Sequence, residues 1–562
     1  MIRDVVLRRF KRFQTETFPL EGNVVLAGQN NSGKTTVLQA VSAWALAYEQ
    51  WKLLNDPHKH RGAYTWKPIA RQAFSAVPMR SFDLLWHDRD YRGVIEIEVQ
   101  TARGWGLVME LAADSTEQIK VRPRQDTPAA VLEQPGLSVV YVSSVDGLEI
   151  EEGAVNNPEL IRTLLGRQRP GSILRNLLLE VSRTNRWEAL RQSVRRLFGV
   201  ELLVPQTPGG FIVCEFQRQG QPFALDILSA GSGFHQVLLL LACLHTRQGA
   251  VLLIDEPDAH LHVFLQDTIF SELRRVAADT GSQIILATHS EVIFRSVPPE
   301  QLLVMMGPPR RLASVAEREQ LAKAMAMLEQ VDIVQALVAH GVLYLEGHTD
   351  LNLLRAWAVL LNHPAEKFFD QEPFWKPLVW ETRDLGSGIK AEDHYAALKL
   401  VRADLTGVRL IDADGKAKGI PPSENPQAGV LNRIAWSRYE TESYLAHPAT
   451  LARYIDQHVG GGGADAVQRF FRQQFEAYAG ASAAAGIAAD FIANPLQPAE
   501  IVQTYLATKK ARTVIIGGVL QEGGVHGMAY TDFDQIAAQM LPEEVHPEVV
   551  AKLNFIQQAF GL

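Results

Sequence analysis

The stretch Val24-Val25-Leu26-Ala27-Gly28-Gln29-Asn30-Asn31-Ser32-Gly33-Lys34-Thr35-Thr36 decides how the first half of the chain folds. Its four leading apolar residues read as a buried strand, and Gly28 to Thr35 fit G-x-x-x-x-G-K-[ST]. A helical pattern follows from Thr35 to about Tyr48. Strand, glycine loop and helix in this order gather backbone N–H groups and the positive end of a helix dipole around an anion. Gly28, Asn30, Asn31, Ser32, Gly33, Lys34, Thr35 and Thr36 are the expected nucleotide-binding residues, with Lys34 on the β- and γ-phosphates. The Thr35 hydroxyl is expected on Mg²⁺, which makes ATP and Mg²⁺ the expected cofactors. A chance glycine turn would not be bracketed by a strand and a helix.

Working outward, Val251-Leu252-Leu253-Ile254-Asp255-Glu256 supplies a second buried strand with two acids at its carboxyl end, the end where α/β sheets bind ligands. Asp255 is expected to hold Mg²⁺, directly or through water, and Glu256 to orient or deprotonate the attacking water. A third strand, Ile284–Ala287, leads to Thr288, His289 and Ser290. A lone histidine is more often a capped core residue. At this strand end His289 reads instead as a sensor of the γ-phosphate. Strands separated by a helix imply a parallel α/β sheet.

Leu228-Ser229-Ala230-Gly231-Ser232-Gly233 opens a helical pattern ahead of the Asp255 strand. It resembles the signature of ABC ATPases, departing from it at Ala230 and at Ser232-Gly233. Asp258-Ala259-His260-Leu261-His262 resembles their D-loop, and His289 their switch histidine. His260 and His262, two apart, do not face each other on a helix and are discounted as a metal pair. The resemblance implies an ABC/SMC-type head that works as a dimer or higher even-numbered oligomer, with Ser229 and Gly231 acting on the nucleotide of the other copy. A Q-loop glutamine is not identifiable; Gln72 is the weak candidate.

A second constellation follows a proline-rich weakening of the pattern around 298–311. Leu343-Tyr344-Leu345-Glu346 places an acid at a strand end, with Asp350 about one helical turn later. Arg409-Leu410-Ile411-Asp412-Ala413-Asp414-Gly415 places two more after another apolar strand. Taken singly, the first pair is also a helix cap and the second a turn. Converging, Glu346, Asp350, Asp412 and Asp414 suit Mg²⁺ or Mn²⁺, and such a site activates water for phosphodiester displacement.

This order of acids resembles the Toprim domain, and its fusion to an ABC-type head resembles the OLD (overcoming lysogenization defect) family of ATP-dependent nucleases. The segment Arg438-Tyr439-Glu440-Thr441-Glu442-Ser443-Tyr444-Leu445 resembles the acidic stretch of that family. The resemblance implies Glu346 and Asp412 as catalytic groups beside Glu256 and His289, and a late basic residue for which Lys509 or Lys510 are candidates. The expected organisation is an α/β chain: an ATPase domain over 1–335, a Toprim-like domain over 336–450, and a helical region over 451–562 that completes it. Gly460 to Gly463 reads as a flexible loop or linker.

Bulk composition narrows the setting. The 562 residues are 47% hydrophobic and 21% charged, as in folded globular chains. A net charge of -8 excludes a global basic field, so nucleic acid must be met by local basic surface. Arg8, Arg9, Lys11 and Arg12, and Arg191, Arg195 and Arg196, are the local clusters, although such runs are usually solvated faces. Two distant cysteines, Cys214 and Cys243, fit a reducing compartment and no cysteine-ligated zinc. The longest apolar run, about Val237 to Leu244, is too short for a bilayer, so a cytoplasmic protein without membrane contact is expected. The expected function is ATP-regulated, metal-dependent cleavage of DNA, to which the family resemblance adds a role in defence against phage or in DNA processing. The alternatives are a ribonuclease acting on tRNA, or a non-cleaving ATPase sensor for a partner protein.

Overall fold

Strand Val24–Ala27 lies in the middle of a six-stranded sheet, its four side chains at most 3% exposed. The computed structural model describes all residues except 29–30, 54–62, 72, 75–76, 78, 116, 135–136, 144–146, 156–169, 259–260, 371–372, 381–387 and 414–422. It divides into two compact units, Met1–Ala322 and Lys323–Leu562.

In the first unit Val24–Ala27 is flanked by Leu302–Val304 and Gln283–Thr288, followed outward by Val251–Asp255 and Val139–Val142, all parallel. Their apolar runs are buried on both faces, as a helix-covered parallel sheet requires. The register sets Ala27 beside Thr288 and Asp255 beside Ala287, so the phosphate loop, the paired acids and the histidine leave the same edge.

An antiparallel sheet of Phe13–Pro19, Ile2–Phe10, Ile95–Thr101, Gly106–Ala113, Gln118–Pro123 and Lys67–Ala70 makes the second layer. Along its strand Ile95–Thr101, buried and half-buried side chains alternate. Ile95, Ile97 and Val99 are fully buried, while Glu96 and Glu98 face Arg8 at 3.2 and 3.4 Å. Helix Lys34–Leu53 shares one core with both sheets through Val37, Val41, Trp44 and Trp51. The buried Gln283 side chain ties the sheets together. Its Oε1 accepts from Ile2 N at 2.7 Å, and its Nε2 donates to the carbonyls of Ile2, Leu20 and Gly22 at 2.6–3.0 Å. Gln283→Ala leaves these backbone groups unmet, and is expected to lower the stability of the first unit by roughly 2–4 kcal/mol in a denaturant titration.

The basic clusters are largely satisfied within the unit. Arg9 meets Asp90 at 2.6 Å, Arg191 meets Glu188 at 2.9 Å and Arg196 meets Glu272 at 2.8 Å. Arg8 likewise meets Glu96 and Glu98 at 3.2 and 3.4 Å.

In the second unit a parallel sheet runs Trp375–Pro377, Val342–Leu345, Gly407–Ile411, Leu431–Ala435. Leu343, Leu345, Val408, Leu410 and Ile434 share one core with Phe471, Phe475, Phe491, Tyr505, Ile556 and Phe560 of the later helices. The helices beyond 450 therefore build the same core as the sheet. Asp332 is anchored by Lys376 at 2.7 Å and His394 at 3.3 Å. The glycine run is a short loop between two helices of one core. Gly460, Gly461 and Gly462 take φ of 87°, 141° and 85° to turn helix Pro448–Val459 into helix Gly463–Ala479. A Cβ on Gly463 would stand 2.2 Å from the Ala452 carbonyl, so the glycine permits the helices' close approach. Among the described residues no helix is long and apolar enough to cross a membrane.

Candidate functional site

Lys34 opens its helix almost wholly buried, with Nζ donating to the Gly28 carbonyl at 2.8 Å. Burial pulls its ammonium down to about 8, against the opposing attraction of Glu256, Asp255 and Asp258. A buried cation whose charge is disfavoured by desolvation is one that a phosphate would stabilise. Gly33 has φ of 100°, and a Cβ there would stand 2.5 Å from the Phe13 ring and 2.9 Å from Arg12. A Cβ on Gly28 would stand 2.8 Å from Ser32 Oγ. That Ser32 hydroxyl is buried without a hydrogen-bond partner among the described residues. Asn31, with φ of 60°, completes the loop, whereas Gln29 and Asn30 lie outside the described residues. Thr36 follows, half-buried, on the first turn of the helix. The residues present fit a nucleotide's phosphates: a buried lysine and an unpartnered serine hydroxyl stand in a loop whose close packing admits only glycine at 28 and 33.

Thr35 Oγ1 donates to Asp255 Oδ1 at 3.0 Å, and Tyr141 Oη donates to Asp255 Oδ2 at 2.7 Å. Burial raises the Asp255 carboxyl, and these two hydrogen bonds oppose it. A hydroxyl beside a carboxylate at the loop's end is a fitting pair for Mg²⁺. Glu256, at φ of 48°, is one of few non-glycine residues in the left-handed region. Such strain is concentrated at functional sites. Its carboxylate lies 3.1 Å from His289 Nε2. Burial, reinforced by the Lys34 charge, lowers the His289 value, with Glu256 pulling the other way. Asp258 accepts from Thr288 Oγ1 at 2.5 Å; Ala259, His260 and Gln72 lie outside the described residues.

The signature-like segment is set by Asp226. Its carboxylate accepts from Leu228 N at 2.7 Å, its carbonyl accepts from Ser229 Oγ at 2.7 Å, and Arg175 grips the carboxylate at 2.9 and 3.0 Å. Ser229 and Gly231 are exposed, and Gly231 caps helix Ser232–Thr246. Among the described residues neither hydrogen-bonds to the phosphate loop of its own chain.

In the second unit Glu346 follows strand Val342–Leu345, and Asp350 lies on the first turn of helix His348–Leu360 with Oδ2 accepting from Gly347 N at 3.0 Å. Asp412, at the end of strand Gly407–Ile411, donates its N–H to Glu346 Oε1 at 3.3 Å. Its Oδ1 accepts from Thr441 N at 3.0 Å and Thr441 Oγ1 at 3.2 Å. Asp414 lies outside the described residues.

Two further residues join these acids. Glu442 is fully buried, and Arg512 Nε donates to its Oε1 at 2.6 Å. Arg512 also donates to Thr349 Oγ1 at 3.0 Å and, from its backbone, to Glu440 Oε1 at 2.7 Å. Sequence reasoning placed Glu442 in an acidic stretch without assigning it to the site, and it looked to Lys509 or Lys510 for the basic residue. Lys509 instead lies over the Tyr478 ring at 5.4 Å. The available signal for Arg512 was a lone charge within the apolar Ala511–Ile516.

The cluster is electrostatically loaded. Burial, then Asp350, Glu346 and Glu442, push Asp412 up to about 8. Burial raises Glu442 to about 7 despite Arg512. Asp350 Oδ1 and Glu442 Oε2 are buried without hydrogen-bond partners among the described residues. Orphaned carboxylate oxygens and suppressed ionisation suit a divalent cation. Among the described residues, however, no group of three or more His, Cys, Asp or Glu side chains is arranged to hold one. Arg512 is the counter-charge present.

Residues 209–295 match the family described as "AAA domain, putative AbiEii toxin, Type IV TA system", a stretch that includes Ser229, Asp255, Glu256 and His289. No curated protein matches the chain. Similar solved structures include an SMC head bound to the C-winged helix domain of ScpA, at 14% identity and a TM-score of 0.35, covering 56% of this chain and 99% of that one. The SMC head domain from Thermotoga maritima is similar at 14% identity and a TM-score of 0.32, covering 56% of this chain and 99% of that one. An Smc head with an extended coiled coil, bound to the C-terminal domain of ScpA derived from Pyrococcus furiosus, is similar at 14% identity and a TM-score of 0.35, covering 54% of this chain and 93% of that one. The strand order and the loop geometry themselves make the first unit a P-loop fold, and the family match makes 209–295 similar to an AAA-type ATPase domain.

Proposed function

We propose that the chain is an ATPase of the ABC/SMC head type whose second unit, Toprim-like, cleaves DNA with a divalent metal under control of the nucleotide. The observation that carries the ATPase half is the junction of Lys34, Thr35, Asp255, Glu256 and His289 at one sheet edge. In this reading the loop amides and Lys34 hold the phosphates, Thr35 and Asp255 hold Mg²⁺, and Glu256 accepts the proton of the attacking water. His289 lies where it can exchange Glu256 for the γ-phosphate. Exposed Ser229 and Gly231 cap the nucleotide of a second copy, so a homodimer is the working form.

The nuclease half is supported by the buried Asp350, Asp412 and Glu442, with the half-buried Glu346 beside them at the ends of adjacent parallel strands. Glu346, Asp350, Asp412 and Asp414 are the proposed Mg²⁺ or Mn²⁺ ligands, and the ion would supply a water nucleophile and neutralise charge on the phosphate. In this reading Arg512, which donates to Glu442, meets the scissile phosphate. Resemblance to the OLD family supports a cytoplasmic role in anti-phage defence. One observation favours a non-cleaving sensor for a partner protein instead: Arg512 already occupies the acidic cluster as its counter-ion.

Supercoiled plasmid incubated with Mg²⁺ or Mn²⁺, with and without ATP, tests the proposal. Nicking or linearisation is expected that requires metal, stops with chelator and changes with ATP. Cleavage of tRNA in place of plasmid would move the substrate to RNA. ATP hydrolysis with neither nucleic acid cut would support the sensor.

A further inference from the structure

Strand Val139–Val142 closes one edge of the nucleotide sheet, pairing parallel with Val251–Asp255 so that Tyr141 lies beside Leu253 and Val142 beside Ile254. Three of its four residues are valine, as a buried strand requires, and the fourth carries a hydroxyl into the same core. Tyr141 is 5% exposed and belongs to the cluster that holds Val37, Tyr48 and Leu253. A buried phenol needs a partner, and a main-chain carbonyl would satisfy it. Here the partner is Asp255, at 2.7 Å.

We propose that Tyr141 is a positioning residue for nucleotide hydrolysis, orienting the Asp255 carboxylate towards the metal side of the phosphate loop. The inference rests on the ATPase reading and adds a residue that none of the phosphate-loop or paired-acid motifs contains. The two oxygens of Asp255 have different donors, Thr35 on Oδ1 at 3.0 Å and Tyr141 on Oδ2 at 2.7 Å. One donor leaves a carboxylate free to rotate about its Cβ–Cγ bond. Two donors on opposite oxygens fix its plane, and both favour the charged form that binds a cation. Thr35 cannot serve alone, because its oxygen is itself the expected metal ligand. The donor from the neighbouring strand is the one that remains when nucleotide and metal arrive.

Tyr141→Phe removes only the hydroxyl. In the full chain, binding of a fluorescent ATP analogue is titrated with Mg²⁺, and kcat and KM for ATP are measured at saturating Mg²⁺. Nucleotide binding in chelator is expected to be unchanged, the Mg²⁺ needed for half-maximal enhancement to rise about tenfold, and kcat to fall about tenfold with KM within about twofold. In an Asp255→Asn background, Tyr141→Phe is expected to add nothing further. A core tyrosine without this role would lose stability alone, as Val140→Ala on the opposite face of the strand is expected to do. The gain in melting temperature from Mg²⁺–ATP over ATP with chelator, read within each variant, separates the two. An unchanged Mg²⁺ dependence and kcat in Tyr141→Phe, or an additive loss in the Asp255→Asn background, overturns the positioning role. A native chain that binds no nucleotide overturns the ATPase reading itself.

Discussion

Asp412→Asn is expected to abolish metal-dependent cleavage by the second unit while leaving ATP hydrolysis by the first at its native rate. Loss of even an outer-shell partner of a metal ligand costs about 10–100-fold, so removal of a ligand should cost at least about a hundredfold. The same substitution is expected to stabilise the metal-free protein. Asp412 has a folded-state value of about 8, far above the roughly 3.9 of an unfolded aspartate. The folded state therefore holds a proton that the unfolded state releases. Its stabilising effect is complete below about pH 4 and disappears as pH rises towards 8. In chelator, the melting temperature of the native second unit should fall across this window, and Mg²⁺ should restore it at pH 8. The amide that replaces the carboxyl cannot ionise, so the fall should be shallower and the midpoint at pH 8 higher by roughly 5 °C or more. A variant that cuts DNA at the native rate removes Asp412 from the chemistry. A melting profile identical to the native one removes the cluster's electrostatic account.

Glu256→Gln is expected to slow ATP hydrolysis by about 10²–10⁴-fold, the range set by loss of a general base. Nucleotide binding should survive, because Lys34, Thr35 and Asp255 are untouched. Glutamine has the same shape but no basic oxygen, and its amide can still meet His289, 3.1 Å from the native carboxylate. ATP should therefore remain bound, and the exposed Ser229 and Gly231 of two copies should stay closed over it. Mass measurement in ATP is expected to show a long-lived dimer in the variant and a transient one in the native chain. Native-rate hydrolysis by Glu256→Gln would remove the base assignment. Slow hydrolysis from a monomer would remove the action in trans.

The contrast between the two sites shows what a sequence displays. The phosphate loop is contiguous, and strand, loop and helix each leave a local pattern, so its position between Val24–Ala27 and Lys34–Leu53 is readable from the sequence alone. The acids at 255–256 and the histidine at 289 were legible because each ends an apolar run, and strand ends in one parallel sheet share an edge. Tyr141 had no such mark. The acid it meets is 114 residues away, and only sheet order brings its hydroxyl to Asp255. Arg512 was missed for the same reason: it reaches Glu442 from a helical turn 70 residues further along the chain. The glycine run was legible as a loop but its shape was not, since composition carries no φ angles: three residues of positive φ join two packed helices. The basic clusters read as solvated faces from their composition; Arg191 meets Glu188 on its own helix, whereas Asp90 and Glu272 reach Arg9 and Arg196 from other elements.

The place of Val24–Ala27 between Gln283–Thr288 and Leu302–Val304 also matters to how the protein is made. A ribosome adding about 5–20 residues per second leaves that strand without neighbours for roughly 15–60 seconds. During that interval the strand has the helix Lys34–Leu53 to pack on but no partner strand on either edge. Translation past residue 304 brings out both flanking strands, so nucleotide capture should begin late and abruptly. The second unit repeats the delay, since Phe560 joins the core founded by Leu343. A chain built this way should depend on holding chaperones while it is synthesised, and a stalled ribosome should yield fragments that aggregate instead of fragments that hydrolyse ATP.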